Sequence, residues 1–261
     1  MGSRPLGQHF LIDPSMIERI LAEAGVGPGQ KILEIGPGRG ALTYPLLISG
    51  CRVTCVEVDP KLAQKFKPSD QLVVVQEDFL QVDLAALLGA PDRSWKVVAN
   101  LPYYVTTPIL EKLLSQAAPW VSEMWLMMQH EVAERIVTPG QRTSGSLTHF
   151  VRYHARADYR LRVPPSAFAP PPEVDSAVVH FAFLPPPEDC LPKRFFALVR
   201  GAFAQRRKML RSSLKALLRP EHFEAAGIDP QRRPETLQFE DFLALEKASR
   251  PDNPKSPACS T

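Results

Sequence analysis

Five short apolar runs recur along the first half of the chain, and their spacing restricts the fold more than any other feature. They are "KILEI" (31–35), "RVTCVEV" (52–58), "QLVVVQ" (71–76), "WKVVA" (95–99) and "MWLMMQ" (124–129), with helix-like stretches between them. Each is rich in Val, Ile, Leu, Met or Trp, as strands buried on both faces are. Their alternation with helices predicts an α/β fold built on a parallel sheet. Two later runs, "YRLRV" (159–163) and "SAVVHFAFL" (176–184), read as closing strands. The segment between them, "PPSAFAPPPEVD", is too rich in proline for a crossover helix, so an antiparallel, hairpin-like edge is expected. Upstream, Pro14–Ala24 reads as a helix with Asp13 as N-cap, Pro14 at the first position, and Met16, Ile17, Ile20 and Leu21 on one face.

The pattern changes at the proline-rich stretch "LPPPEDCLP" (184–192), beyond which no strand-like run follows. Two domains are therefore expected, 1–184 and 185–261, the second small and helical, with a disordered tail from about residue 251. A chain of 261 residues has room for one large core and one small one. Cys51 and Cys55 would lie roughly 13 Å apart on one strand, too far to bridge. No CxxC pair exists, so no zinc site is expected, and reduced thiols suit a cytoplasmic protein. The N-terminus lacks a basic segment followed by an apolar one, so no signal peptide is expected, and the sequence holds no apolar run of membrane-spanning length.

The first strand runs into "ILEIGPGRGALT". Gly36, Gly38 and Gly40 permit a tight turn that exposes backbone to a ligand at the start of a helix. Glu57 ends the next strand, 21 residues after Gly36, where a carboxylate can accept from both ribose hydroxyls of a nucleoside. Asp78 follows the third strand, where a carboxylate can accept from an adenine amine. Each signal alone is weak, but three strand ends in order on one sheet edge point to a nucleoside cofactor. The glycine spacing is GxGxG, not the GxGxxG of dinucleotide folds, and resembles the Rossmann-like class I S-adenosylmethionine-dependent methyltransferases.

The fourth strand ends in "NLPYY" (100–104), an unusual turn of an amide, a proline and two phenols. An aromatic amine is a poor nucleophile because its lone pair is delocalised. Hydrogen bonds accepted from its N–H groups favour a pyramidal nitrogen, and the Asn100 side-chain oxygen and Leu101 carbonyl suit that task. Pro102 fixes φ and removes a competing N–H. Tyr103 offers a flat face for a flipped-out base.

Together these segments resemble the small-subunit (16S) rRNA adenine N6,N6-dimethyltransferases. The resemblance is carried by "GQHFLID" (7–13), the glycine loop, "VEVD" (56–59), "EDFL" (77–80), "NLPYYVTTPIL" (100–110), "MMQHEVAERI" (127–136), "PPSAFAPPPEVDSAVV" (164–179) and "AFAQRRKMLRSSL" (202–214). It implies S-adenosylmethionine as cofactor, with His9 and Leu11 touching its methionine end through the main chain and Gly36 and Gly38 lining that end. Glu57 would hold the ribose, Asp78 the adenine, and Asn100 would face both cofactor and target. Phe168 would close the second face of the target base. His9 stands where the family often has Asn. The resemblance also implies two adjacent adenosines near the 3′ end of small-subunit rRNA as substrate, each methylated twice, an immature 30S particle as partner, and a monomer with no metal and no membrane. The related large-subunit rRNA methyltransferases typically have Ile in place of Leu101, and a non-catalytic assembly factor would not need the intact Glu57, Asp78 and Asn100.

Nine Lys or Arg and no acid lie between Asp189 and Glu221, in a chain of net charge +3. Arg200, Arg207, Arg211 and Lys215, flanked by Arg206 and Lys208, fall near one helical face and read as a phosphate-binding surface. Arg152, Arg156, Arg160 and Arg162 are candidates to extend it.

Overall fold

The computed structural model describes residues 9–138, 140, 143–205 and 207–250. The five apolar runs all form strands of one seven-stranded sheet. After a two-residue strand β1 (Phe10–Leu11) come β2 (Lys31–Ile35), β3 (Arg52–Glu57), β4 (Leu72–Gln76), β5 (Trp95–Asn100), β6 (Val121–Gln129), β7 (Ala155–Val163), β8 (Phe168–Ala169) and β9 (Ser176–Phe183). The order is β4-β3-β2-β5-β6-β9-β7; the first five strands pair in parallel, and β9 is antiparallel to both β6 and β7. The antiparallel closure is thus present, with β7 at the edge. β6 begins three residues before the expected run and β7 four residues before, because Arg156 and Asp158 interrupt the apolar pattern of β7.

The chain divides into two compact units, 1–133 with 155–183 and 134–154 with 184–261. The first holds α1 (Pro14–Ala24), α2 (Thr43–Ile48), α3 (Pro60–Ala63), α4 (Leu84–Leu88) and α5 (Thr106–Gln116); α6 (His130–Val137) spans the boundary. The second holds α7 (Ser146–His154), α8 (Pro192–Ala204), α9 (Leu210–Ser213), α10 (Pro220–Ala226) and α11 (Phe239–Ala248). The expectation that 134–154 belongs to the first domain is corrected. Tyr153 packs on Phe195, and His149 on Phe203 and Phe242, so α7 is part of the helical core. The tail expected to be disordered from about residue 251 lies outside the described residues.

Helix α1 matches its expected bounds. Asp13 Oδ1 accepts from Ser15 and Met16 N–H, and Gly25 closes the far end at φ +54°. One expected helix fails. The basic stretch after Pro192 is not continuous, because α8 stops at Ala204 and α9 starts only at Leu210. Leu210 and Arg211 N–H donate instead to the Arg232 and Pro230 carbonyls. A tertiary backbone pairing displaces the helix where the sequence carries no Gly or Pro.

Candidate active site

In the sheet order, β2 leads outward to β3 and β4 in one direction, while β5 and β6 extend in the other. The chain therefore switches direction between β2 and β5, and the loops leaving those two carboxyl ends diverge. Ligands of open α/β sheets bind in the crevice this creates. Those loops are the glycine turn after Ile35 and the NLPYY turn after Asn100.

A cavity occupies that place. Its lining includes His9, Leu11, Gly36, Gly38, Glu57, Asp78 and Asn100 to Tyr103. Every expected site residue of the first unit except Phe168 is therefore gathered in one space. Phe168 is absent from that lining. It is 3% exposed, pairs with Leu11 through β8 and β1, and belongs to the cluster that contains Leu161 and Val163.

Glu57 is more embedded than a strand-end position suggests. It is 3% exposed, and its two carboxylate oxygens accept from Gly38 N–H at 3.1 Å and Asp59 N–H at 3.0 Å. Glu57 therefore shapes the glycine turn as well as facing the cavity. Gly38 sits at φ +58°, and a Cβ there would lie 3.2 Å from the Phe10 ring. Only glycine lets the turn approach that ring without displacing it. Asp78 is exposed, one oxygen accepting from Leu80 N–H. The turn after it is fixed by Lys112, whose ammonium donates to the Phe79, Leu80 and Val82 carbonyls.

In NLPYY, hydrogen-bonding capacity is divided unevenly. The Pro102 carbonyl accepts from Val105 N–H and Thr106 Oγ1. Leu101 N–H donates to the Met127 carbonyl. Among the described residues, the Asn100 side chain and the Leu101 carbonyl make no hydrogen bond. Two acceptors thus remain unengaged at the cavity, and they are the two that the sequence singles out. The Tyr103 ring is held by a 2.5 Å hydrogen bond between its hydroxyl and Ser176 and stacks on the His9 imidazole at 5.6 Å. His9 is itself bonded to the Pro170 carbonyl at 2.8 Å.

Tyr104, Arg39 and Glu34 are among the cavity residues to which the sequence reading gave no role. Tyr104 is 57% exposed; partial burial, then the charges of Glu57 and Asp78, push its hydroxyl above the ordinary phenol range. Arg39 lays its guanidinium 4.2 Å over the Phe10 ring. Glu34 is a carboxylate inside an apolar run, immediately before a glycine turn, and that placement was a usable signal. Among the described residues, no group of three or more His, Cys, Asp or Glu could hold a metal, and no helix is long and apolar enough to cross a membrane.

In the second unit, Arg200, Arg207, Lys208, Arg211 and Lys215 are all exposed, and none forms an ion pair among the described residues. Arg206 lies outside the described residues. The break between α8 and α9 removes the single helical face expected for them. The four candidates to extend the patch are neutralised instead. Arg152 pairs with Glu240, Arg156 with Asp158, Arg160 with Glu23 and Arg162 with Asp175.

Known proteins resemble this chain closely. The sequence profile of the ribosomal RNA adenine dimethylase family matches residues 2–250. The ribosomal RNA small subunit methyltransferase A of Alcanivorax borkumensis is 43% identical over 257 residues, covering 94% of this chain and 89% of that protein. The protein of the same name from Pseudomonas aeruginosa is 44% identical, with 95% of each chain covered. Among solved structures, a dimethyladenosine transferase from Plasmodium falciparum has the same fold, with a TM-score of 0.74 at 24% identity over 91% of this chain and 96% of that one. The 23S rRNA methyltransferase ErmE gives a TM-score of 0.69 at 26% identity, over 92% and 99%. With a profile matched over nearly all its length and relatives this similar end to end, the chain belongs to the ribosomal RNA adenine dimethylase family.

Proposed function

We propose that the protein transfers methyl groups from S-adenosylmethionine to the N6 amines of two adjacent adenosines near the 3′ end of small-subunit rRNA. The observation that carries this reading is the pair of unengaged acceptors, the Asn100 amide and the Leu101 carbonyl, beside Glu57 and Asp78. The residues present suit the cofactor. Glu57 keeps acceptor capacity beyond its two N–H partners, and Asp78 has one oxygen free of hydrogen bonds. When bound, S-adenosylmethionine supplies an electrophilic methyl group.

The rest of the chemistry is positioning. Asn100 Oδ1 and the Leu101 carbonyl accept from the two N–H groups of the adenine amine, which turns the nitrogen pyramidal and frees its lone pair. Tyr103, fixed by Ser176 and His9, supports the base. After alkylation the nitrogen is acidic and its proton passes to water, so these residues need not act as a strong base. Small-subunit particles incubated with the protein and labelled cofactor, then mapped by mass, test the reading. Label on adenosines elsewhere, or on none, overturns it.

Glu57→Ala is expected to weaken cofactor binding by ~1.5–3 kcal/mol, the scale of hydrogen bonds to a charged group. Because Glu57 also anchors Gly38 and Asp59, the variant should melt at a lower temperature. A folded variant that binds S-adenosylmethionine at wild-type affinity takes Glu57 out of the site.

The second unit is assigned to RNA by its unopposed charges. Reversing Arg207 and Arg211 to Glu should weaken binding to small-subunit particles and flatten its salt dependence, while affinity for free cofactor stays unchanged. An unaltered salt slope would leave those charges as solvated surface.

A further inference from the structure

Glu34 is 2% exposed, and its one hydrogen bond among the described residues comes from Thr43 Oγ1 at 2.7 Å. It lines the cavity. A buried carboxylate is costly unless a cation offsets it. No Lys, Arg or His of the described residues pairs with Glu34. The elements around it make the charge worse. On β3, Cys55 stands opposite Glu34 in register, and Glu57 lies two residues further on. On β5, the register places Val97 and Val98 at that level, and Lys96, lower down, is bound to Glu123 and the Ala24 carbonyl. α2 offers only the neutral Thr43 hydroxyl. Arg39 also lines the cavity, but its guanidinium lies over the Phe10 ring and forms no ion pair with Glu34, so a pairing cation has to come from what enters the cavity.

We propose that Glu34 is the counter-charge of the cofactor's sulfonium and exchanges a proton with solvent as the cofactor comes and goes. The inference rests on the cavity being the S-adenosylmethionine site. With the cavity empty, Glu34 carries a proton; burial, then the charge of Glu57, raises its pKa to about 8, against the opposing pull of the Thr43 hydrogen bond. A cation in the cavity favours the carboxylate, and the proton leaves to buffer. Methyl transfer converts the sulfonium into the neutral thioether of S-adenosylhomocysteine. Glu34 is then again a buried, uncompensated charge and takes a proton back. The exchange gives the site a built-in preference for cofactor over product.

Calorimetric titration near pH 7 in two buffers of different ionisation enthalpy counts the protons. Wild type should release a large fraction of one proton on binding S-adenosylmethionine and clearly less on binding S-adenosylhomocysteine. The release should fall toward zero above about pH 9, where Glu34 has already ionised. Glu34→Gln keeps an acceptor for Thr43 but cannot titrate. It should abolish the difference in proton count and reduce the preference for cofactor over product by about ten-fold, the equivalent of one pKa unit. Equal proton counts for the two ligands in wild type overturn the proposal, and that measurement does not depend on the variant folding. So does a Glu34→Gln protein that retains both the proton difference and the preference, which would reduce Glu34 to a structural partner of Thr43. Failure of wild type to bind S-adenosylmethionine at all would instead remove the cofactor reading, and this inference with it.

Discussion

Asn100→Ala should cut the rate of methyl transfer by orders of magnitude while binding to small-subunit particles stays close to wild type. The Asn100 side chain has no hydrogen bond among the described residues, so removing it releases no structural partner, and the fold should tolerate the change. The loss should fall on the reacting amine. Leaving one N–H unpaired costs ~1–3 kcal/mol in the ground state, and the deficit grows as the nitrogen becomes pyramidal. Particle binding should barely register the loss, because phosphate contacts are expected to carry most of it. The measurement that isolates the effect is single-turnover transfer at saturating enzyme and cofactor. Transfer at near the wild-type rate would remove Asn100 from the chemistry.

The second large effect is acid sensitivity of the helical unit. His149 is fully buried between Phe203 and Phe242, and neither ring nitrogen has a hydrogen-bond partner. Burial, then the nearby Arg152 charge, lowers its pKa to about 4 from an ordinary value of 6.5. Between those values the unfolded chain binds a proton that the folded chain refuses, so stability is full above about pH 6.5 and declines as pH falls toward 4. At ~1.4 kcal/mol per pKa unit, His149 alone removes about 3 kcal/mol across that window. Burial also lowers His154 and His222, which adds to the slope. His149→Leu should stabilise the unit at neutral pH, by removing two unsatisfied nitrogens, and should flatten the acid decline. Urea unfolding at pH 7.5 and 4.5, with hydrogen exchange reporting on α7, α8 and α11, checks both. A variant with the same pH dependence as wild type would show that His149 is not the source.

The sheet and most of the cavity were legible in the sequence because both rest on local rules. Apolar runs bounded by turn residues make strands, and strand ends carrying Gly, Glu, Asp and Asn converge because parallel strands share one carboxyl edge. What was not legible depended on partners distant in sequence. The stretch 200–215 has helical spacing throughout, and only its pairing with Pro230 and Arg232 breaks the helix. The aromatic face of α7 gave no sign that Phe195, Phe203 and Phe242 would claim it. Phe168 follows a proline-rich stretch, and the two-residue strand that buries it is too short for any periodicity.

That short strand also determines when the cavity exists. The wall made by His9 and Leu11 is held by β8 and by the Pro170 carbonyl, and His9 and Pro170 lie 161 residues apart along the chain. Closing so long a loop costs entropy that only the finished sheet between its ends offsets. During synthesis the glycine turn, Glu57 and NLPYY all leave the ribosome before the strand that completes their enclosure. A nascent chain therefore carries the chemical groups of the site without a closed chamber, and the enzyme becomes able to hold its ligands only once nearly the whole first unit has been made.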